Sequence, residues 1–282
     1  MLVIETAEAL KAHLRPLQRE GLRVGFVPTM GALHAGHLSL VEEAARHAEV
    51  VVVSIFVNPT QFGPNEDLSR YPRDLEGDLA KLREVGTSVV FHPSEDVMYP
   101  PGHQTTVQVA HVTQGLCGAH RPGHFEGVAT VVAGLFGLVH PDVAVFGEKD
   151  YQQLTTIRTL VRDLHMDVEV VGAPLVRETD GLAMSSRNAY LSPEERLTAL
   201  SLSRGLFRAR DRYAAGERNA ALLIGAAHAE LDLAGVQPEY LELRHATSLV
   251  PLERADGPCV MLVAARVGKT RLIDNVILRR PS

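Results

Sequence analysis

The chain has 282 residues, of which 45% are hydrophobic and 22% are charged, proportions typical of a soluble globular protein with one large domain or two modest ones. Its formal net charge of -6 argues against a broad nucleic-acid-binding surface, so we expect no nucleic-acid partner. Cys117 and Cys259 are the only cysteines, too few for a disulfide framework or a four-cysteine metal site, as expected in a reducing compartment.

The amino terminus, Met1 to Thr6, shows no basic stretch followed by a long apolar core. We therefore expect no signal peptide and a cytoplasmic location. The longest apolar stretches, 50–57 and 127–139, are shorter than the roughly 20 residues needed to span a bilayer. We interpret both as core elements and expect no membrane partner.

Apolar, β-branched runs alternate with stretches of helical periodicity in the first part of the chain. Predicted buried parallel strands are 22–27, 50–57, 88–91, 143–146 and 168–171. Predicted helices between them are 38–48, 75–85, 128–139 and 154–164. This alternation predicts an α/β fold with a doubly wound, parallel, Rossmann-like sheet, whose ligands bind beyond the carboxyl ends of the strands.

The pattern changes after Ala173-Pro174. A loop is followed by a predicted helix from Pro193 and a second helix over 220–233. Three strand-like runs close the chain, at 240–244, 260–265 and 272–278. We therefore predict two domains, a Rossmann-like domain over 1–175 and a smaller C-terminal α+β domain over 176–282.

Two histidines lie where the first of these strands turns into a helix. Apolar residues recur at helical spacing after His37, which places Gly36 and His37 in the first helical turn, where free N–H groups and the helix dipole attract anions. His34 and His37 share a helix face, so both side chains could donate to one phosphoryl oxygen. A zinc site would need a third ligand, and a purely structural pair is the other alternative. Gly36 favours the phosphate interpretation, because a missing Cβ lets a ligand approach the backbone.

Polar residues follow two further strands directly. Asn58 and Gln61 come after 50–57 and can both donate and accept hydrogen bonds, as a hydroxy acid requires, although a simple capped turn is the alternative. Lys149 and Asp150 come after 143–146. The lysine suits a triphosphate and the aspartate a ribose hydroxyl, a helix N-terminus or the lysine itself, with an ordinary salt bridge as the alternative.

The segment Met184–Arg187 combines two serine hydroxyls with a permanent cation, a set suited to phosphoryl oxygens on a mobile loop. Two other motifs are weaker. Gly268-Lys269-Thr270 imitates the end of a P-loop, but Val263 stands where the earlier glycine is required, in a strand-like context, so we exclude it. His120, His124 and Glu126 indicate a mobile polar loop rather than a metal cluster.

Several of these segments together resemble one family. His34-Ala35-Gly36-His37 is similar to the His-x-Gly-His signature of the nucleotidylyltransferase superfamily. Four longer segments resemble the pantothenate synthetase family, in order over almost the whole chain: Val27–His34, Ser54–Phe62, Gly147–Gln153 and Met184–Asn188. The resemblance implies a ligase that joins pantoate to β-alanine through a pantoyl adenylate, consuming ATP and releasing pyrophosphate and AMP. It also implies Mg2+ on the phosphates, a C-terminal lid domain and a homodimer.

The resemblance also implies roles for individual residues. The groups expected to stabilise the phosphoryl charge are His34, His37, Lys149, Ser185, Ser186 and Arg187. The expected ATP-binding residues are Met30, Gly31, Ala32, Leu33, His34, Ala35, Gly36, His37, Gly147, Glu148, Lys149, Asp150, Val176, Met184, Ser185, Ser186 and Arg187. Gln61 and Gln153 are expected to bind pantoate, with Asn58 beside them and Gln61 also near the β-alanine site. Metal ligands stay open, because Gly77 interrupts the acidic run of the family and leaves Asp78 as a weak candidate.

Two alternatives belong to other functional classes. One is a nucleotidylyltransferase that joins a nucleotide to a phosphate ester, against which the segments containing Gln61 and Gln153 favour an uncharged hydroxylated acid. The other is a non-catalytic nucleotide sensor or structural homodimer, which the intact set of donors argues against.

Overall fold

The computed structural model describes residues 1–64 and 66–279. Its first part contains β1 (Leu2–Ile4), α1 (Ala7–Arg19), β2 (Val24–Thr29), α2 (Ala35–Ala45), β3 (Val50–Ile55), α3 (Leu75–Glu84), β4 (Val89–Phe91), α4 (Glu95–Met98), α5 (Leu116–His120), α6 (His124–Val139), β5 (Val143–Gly147), α7 (Tyr151–Asp163) and β6 (Glu169–Ala173). Its second part contains α8 (Pro193–Ala214), α9 (Ala220–Leu233), β7 (Pro238–His245), β8 (Cys259–Val267) and β9 (Thr270–Leu278). Short 3-10 turns cover Pro59–Gln61, Leu68–Arg70, Glu148–Asp150 and Ser186–Tyr190.

The first six strands form one parallel sheet in the order β1-β4-β3-β2-β5-β6. The central strands are buried and apolar, as expected when helices cover both faces of a sheet. From β2 the chain moves outward through β3 and β4, and it then returns to place β5 on the other side of β2. The sheet therefore has its topological switch point between β2 and β5, where ligands of such folds bind.

The last three strands form a separate antiparallel sheet in the order β7-β8-β9. Its two faces join different cores. Met261 and Val263 pack with α8 and α9, whereas Val260 and Leu262 belong to the core of the larger sheet. This double packing explains why β8 is buried at almost every position, and it holds the small sheet against the first one.

The predicted fold class is confirmed, including the parallel sheet and the smaller α+β part. All the predicted strands and helices are present, with bounds that differ by a few residues at many of the ends. β1, α1, α4 and α5 were not predicted. The predicted polar loop around 120–126 is wrong, because His120 ends α5 and His124 begins α6 with a buried side chain. The division at 175/176 stays a prediction.

Candidate active site

A deep cleft lies at the carboxyl ends of β2, β3 and β5. Many of the predicted site residues line it: Met30, His34, Gly36, His37, Asn58, Gln61, Gly147, Lys149, Asp150, Gln153, Val176, Met184, Ser185, Ser186 and Arg187. The sheet topology thus brings together segments more than 150 residues apart in sequence. Other predicted residues lie beside the cleft without lining it: Gly31, Ala32, Leu33, Ala35 and Glu148.

The two histidines stack at the start of α2, with ring centroids 4.1 Å apart. The backbone N–H of His34 donates to Nδ1 of His37 at 3.3 Å. Because Nδ1 accepts this bond, the proton of the neutral His37 ring belongs on Nε2. His37 is therefore set up as a hydrogen-bond donor, while Nδ1 of His34 is buried without a partner among the described residues.

Both rings are neutral at physiological pH. Burial lowers the pKa of His34 to about 4, with a further contribution from the charge of Lys149. Burial also lowers the pKa of His37 to about 3, and the charges of His34 and Lys149 act in the same direction. The pair can therefore stabilise developing negative charge by donating N–H groups but does not supply a full positive charge.

Gly36 lines the cleft and also makes room for a neighbouring side chain. A Cβ at this position would lie 3.0 Å from Cε1 and Nδ1 of His34. The missing side chain therefore makes room for the His34 ring, and any larger residue would push that ring away. The predicted approach of a ligand to the backbone at Gly36 stays a prediction.

Asp78 fixes the turn that precedes the histidines. Its carboxylate is 1% exposed and accepts the N–H groups of Ala32 and Leu33, each at 2.7 Å. Ala32 has a φ of 52°, in the left-handed region that costs a non-glycine residue energy unless its surroundings hold it. Ala32 and Leu33, two of the expected ATP-binding residues, thus already have their backbone N–H groups paired with Asp78, which holds the turn in this conformation.

Asn58 orients Gln61 and has little capacity left for a substrate. Its Nδ2 donates to Oε1 of Gln61 and to the carbonyl of Gly127, both at 3.1 Å. Its Oδ1 accepts from the hydroxyls of Tyr99 at 2.7 Å and Thr60 at 2.9 Å. The expectation that Asn58 itself contacts substrate is therefore not supported, because its donors and acceptors are used within the protein.

This network leaves one end of Gln61 available. Because Oε1 is held by Asn58, Nε2 points the other way, where its partner is the weakly accepting Sδ of Met30 at 3.2 Å. Gln61 thus offers an N–H donor to an oxygen of a bound acid. The side chain of Gln153, also in the wall of the cleft, has no hydrogen-bond partner among residues 1–64 and 66–279, so its amide is open to a ligand.

Lys149 and Asp150 bring opposite charges to the end of β5. Lys149 Nζ lies 3.6 Å from Oδ2 of Asp150, whose side chain is 47% exposed to the cleft. Desolvation within the cleft acts to raise the pKa of Asp150, but the charges of Lys149 and Arg187 outweigh it and leave the pKa below its ordinary value. Asp150 therefore stays ionised.

Arg187 pairs with an acidic residue that the sequence analysis did not identify. Its Nε and Nη2 donate to the two carboxylate oxygens of Asp67, at 2.9 and 2.8 Å. Tyr190 donates to the carbonyl of Arg70 at 3.0 Å and strengthens the same contact. The loop that contains Ser185 and Ser186 thus packs against the segment that follows β3, and the Arg187 guanidinium already has a bidentate partner.

Arg121 and His124 are further cleft residues that were missed. Arg121 Nη1 lies 2.9 Å from Nε2 of His124, and Nδ1 of that ring bonds the carbonyl of Gln61 at 2.9 Å. Arg121 is also paired with Glu66, its Nε 2.6 Å from Oε1. Burial lowers the pKa of His124 to about 4, and the charge of Arg121 acts in the same direction. The one sequence feature that could have indicated a site here is the basic residue Arg121 three positions before His124.

Gly127 lets α6 approach this network closely. A Cβ there would lie 2.4 Å from the carbonyl oxygen of Thr60.

Within the described part of the chain, no three histidine, cysteine, aspartate or glutamate residues are grouped as a metal would require. Among the described residues, Asp150 is the one acidic residue that lines the cleft.

Comparison with known proteins decides the family. Residues 2–277 match the family model described as pantoate-beta-alanine ligase. The chain belongs to that family. It is 58% identical to a pantothenate synthetase from Myxococcus xanthus over 98% of this chain and 96% of the relative. It is also 54% identical to the one from Syntrophobacter fumaroxidans over 99% of each chain.

Solved structures of pantoate-beta-alanine ligases share the fold. The pantothenate synthetase of Thermus thermophilus aligns over 100% of both chains with a TM-score of 0.95 and 50% identity. The ligase from Francisella tularensis, whose structure is a complex with β,γ-ATP and β-alanine, aligns over 98% of this chain and 97% of that chain, with a TM-score of 0.82 and 33% identity. The Francisella tularensis protein is thus a relative of this chain whose structure holds a nucleotide and β-alanine.

Proposed function

We infer that the chain condenses pantoate with β-alanine in an ATP-dependent reaction. A pantoate carboxylate oxygen attacks the α-phosphorus of ATP, and the bond to the β-phosphate oxygen breaks to release pyrophosphate. The β-alanine amine then attacks the acyl carbon, and AMP leaves with the oxygen that came from pantoate. No covalent enzyme nucleophile is needed, so the protein contributes alignment and charge stabilisation.

The observation that best supports this function is the set of hydrogen-bond donors that line the cleft at the switch point of the sheet. We propose that His34, His37, Lys149, Ser185 and Ser186 stabilise phosphoryl charge. The amides of Gln61 and Gln153 bind pantoate, since both line the same cleft and keep a donor available. Arg187 joins the phosphate site by exchanging its bond to Asp67 for phosphoryl oxygens, in a loop closure by the smaller part of the chain.

Mg2+ belongs to the same proposal. The cleft suits an ion that is held chiefly by phosphate oxygens, because its lining offers the ionised carboxylate of Asp150 and no cluster of acidic residues among the described ones. Bound there, the ion would neutralise charge on the triphosphate. Asp78 is not proposed as a ligand, because its oxygens accept two backbone N–H groups.

We also propose a cytoplasmic homodimer with small-molecule partners alone. Both cysteines are buried and free, as in a protein of a reducing compartment, and the homodimer rests on the family resemblance. No helix in the described ranges has the length and apolarity to span a bilayer. Sedimentation equilibrium tests the dimer.

ATP–pyrophosphate exchange tests the reaction class. D-Pantoate should support exchange of labelled pyrophosphate into ATP without β-alanine, and β-alanine alone should not, because the carboxylate attacks phosphorus before an amine is needed. Exchange driven equally well by a phosphorylated alcohol would support the phosphate-ester alternative. ATP binding without any exchange would support a sensor.

A further inference from the structure

A second cavity adjoins the active-site cleft, between the larger sheet and the smaller one. Six residues line both spaces and so form the wall that they share: Arg121, Lys149, Asp150, Gln153, Ser185 and Arg187. The outer side of the second cavity is lined by the hairpin that joins β8 to β9, including Arg266 and Lys269. A ligand at the shared wall can therefore contact either cavity.

The hairpin gives this second cavity an excess of positive charge. Arg266 and Arg271 lie directly opposite each other in the antiparallel register, a like-charge placement that needs an anion for compensation. One carboxylate serves both: Glu239 Oε1 lies 3.3 Å from Arg266 Nε, and Glu239 Oε2 lies 2.7 Å from Arg271 Nε. Lys269 has no hydrogen bond or ion pair within 1–64 and 66–279. The lining of the cavity as a whole keeps an excess of cations, with four carboxylates, Glu66, Asp67, Asp150 and Asp274, against seven cationic side chains, Arg70, Arg121, Lys149, Arg187, Arg266, Lys269 and Arg271.

The segment around Lys269 is the one whose sequence imitates a P-loop. It forms the turn of a β-hairpin, with Gly268 at a φ of 57°, and not a strand-to-helix turn. Its lysine is therefore not part of a phosphate-binding loop around the nucleotide. It is instead exposed and lines the second cavity.

The reaction proposed above produces one anion at the shared wall. If Lys149 and Arg187 bind the triphosphate as proposed, pyrophosphate forms beside the shared wall, and the acyl adenylate lies in the cleft with the histidines and Gln61. The second cavity offers pyrophosphate a way out that does not pass the adenylate. Its positive charge favours this multiply charged anion over the zwitterionic amine, whose net charge is zero.

We propose that the hairpin-lined cavity is a second anion site, which binds inorganic pyrophosphate as that product leaves the cleft. The inference rests on the proposed function, since the pyrophosphate comes from adenylation. Arg266 and Lys269 attract the anion at the rim, and Arg271 carries positive charge inward. Because the rim groups are exposed, their effect should weaken at high ionic strength.

Pyrophosphate exchange measured on the full chain tests this site. The double variant Arg266→Gln/Lys269→Gln should raise the KM for pyrophosphate at least fivefold, with the KM values for ATP and pantoate changing less than twofold. The effect should shrink in 0.3 M salt, and Lys269→Arg should retain the wild-type value. Lys11→Gln is the matched control, because it removes an exposed lysine from α1, outside both cavities.

Three results would overturn the inference. The first is a KM for pyrophosphate within twofold of the Lys11→Gln value. The second is an equal rise in the KM for ATP, which would place these cations at the triphosphate of the substrate. The third is a change confined to the KM for β-alanine, which would make the cavity an entrance for the amine. Absence of pantoate-dependent exchange in the wild type would instead refute the proposed function.

Discussion

Replacing His37 with alanine removes one positioned donor while leaving the fold in place. The wild-type ring is held by the 3.3 Å bond from the backbone N–H of His34 to Nδ1, which directs the Nε2–H away from the backbone. The ring stacks on His34 and lines the cleft. Its loss therefore affects a group that faces ligand, and α2 keeps its own backbone hydrogen bonds.

The size of the effect follows from the neutral state of the ring. With its pKa lowered to about 3, His37 acts by one N–H bond and not by a full charge. Removal of one preorganised donor to a developing oxyanion costs about 10²- to 10³-fold in rate. We expect His37→Ala to slow adenylation by about 10²-fold or more, with ATP binding changed much less.

The assay separates the two half-reactions. Single-turnover formation of pantoyl adenylate should show the loss, whereas conversion of supplied pantoyl adenylate with β-alanine should stay near wild type, because no pyrophosphate departs in that step. His47→Ala is a matched control, since His47 lies after the end of α2 and pairs with Glu43 at 3.1 Å. An equal loss in both half-reactions, or an unfolded variant, would refute the donor role of His37.

Three further predictions concern the groups around the cleft. Tyr99→Phe removes the 2.7 Å bond that orients Asn58 and should raise the KM for pantoate about 2- to 10-fold; an unchanged value, or an equal change for ATP, argues against the network. Asp78→Asn should lower the free energy of unfolding by about 1–3 kcal/mol and leave the Mg2+ concentration for half-maximal rate unchanged. If Asp78 were a metal ligand, the substitution would raise that concentration. Burial lowers the pKa of His124 to about 4 in the folded chain. Below about pH 6.5 the unfolded chain therefore binds a proton at this histidine that the folded chain does not, so stability falls as the pH drops. Urea unfolding should show that His124→Asn loses about 2 kcal/mol less than wild type between pH 7.5 and 5, and equal losses would contradict this assignment.

The sequence predicts the larger sheet well because buried parallel strands are contiguous apolar runs, as in 50–55. β1 was missed because its three residues include the exposed Leu2 and Val3 and form an edge strand. Such a short segment gains its identity from pairing with β4, a contact that local periodicity does not contain.

In the candidate site, too, local sequence pattern predicts some features and three-dimensional contacts determine the others. The position of the histidine pair follows from local pattern, because a strand and a helix flank it. The pairing of Arg187 with Asp67 joins residues 120 positions apart, and the use of Asn58 to orient Gln61 depends on Tyr99 from another segment. These roles depend on three-dimensional neighbours, so residue type alone predicted a substrate contact where the structure has a positioning group.

Transfer of an isotope label from pantoate to AMP tests the central claim most directly. Pantoate carrying 18O in its carboxylate is incubated with the enzyme, ATP and β-alanine, and the released AMP and pyrophosphate are analysed by mass spectrometry. The adenylate route predicts one 18O in each AMP formed and none in pyrophosphate, because the attacking carboxylate oxygen leaves with the α-phosphorus. Unlabelled AMP, or label in inorganic phosphate or pyrophosphate, would contradict it.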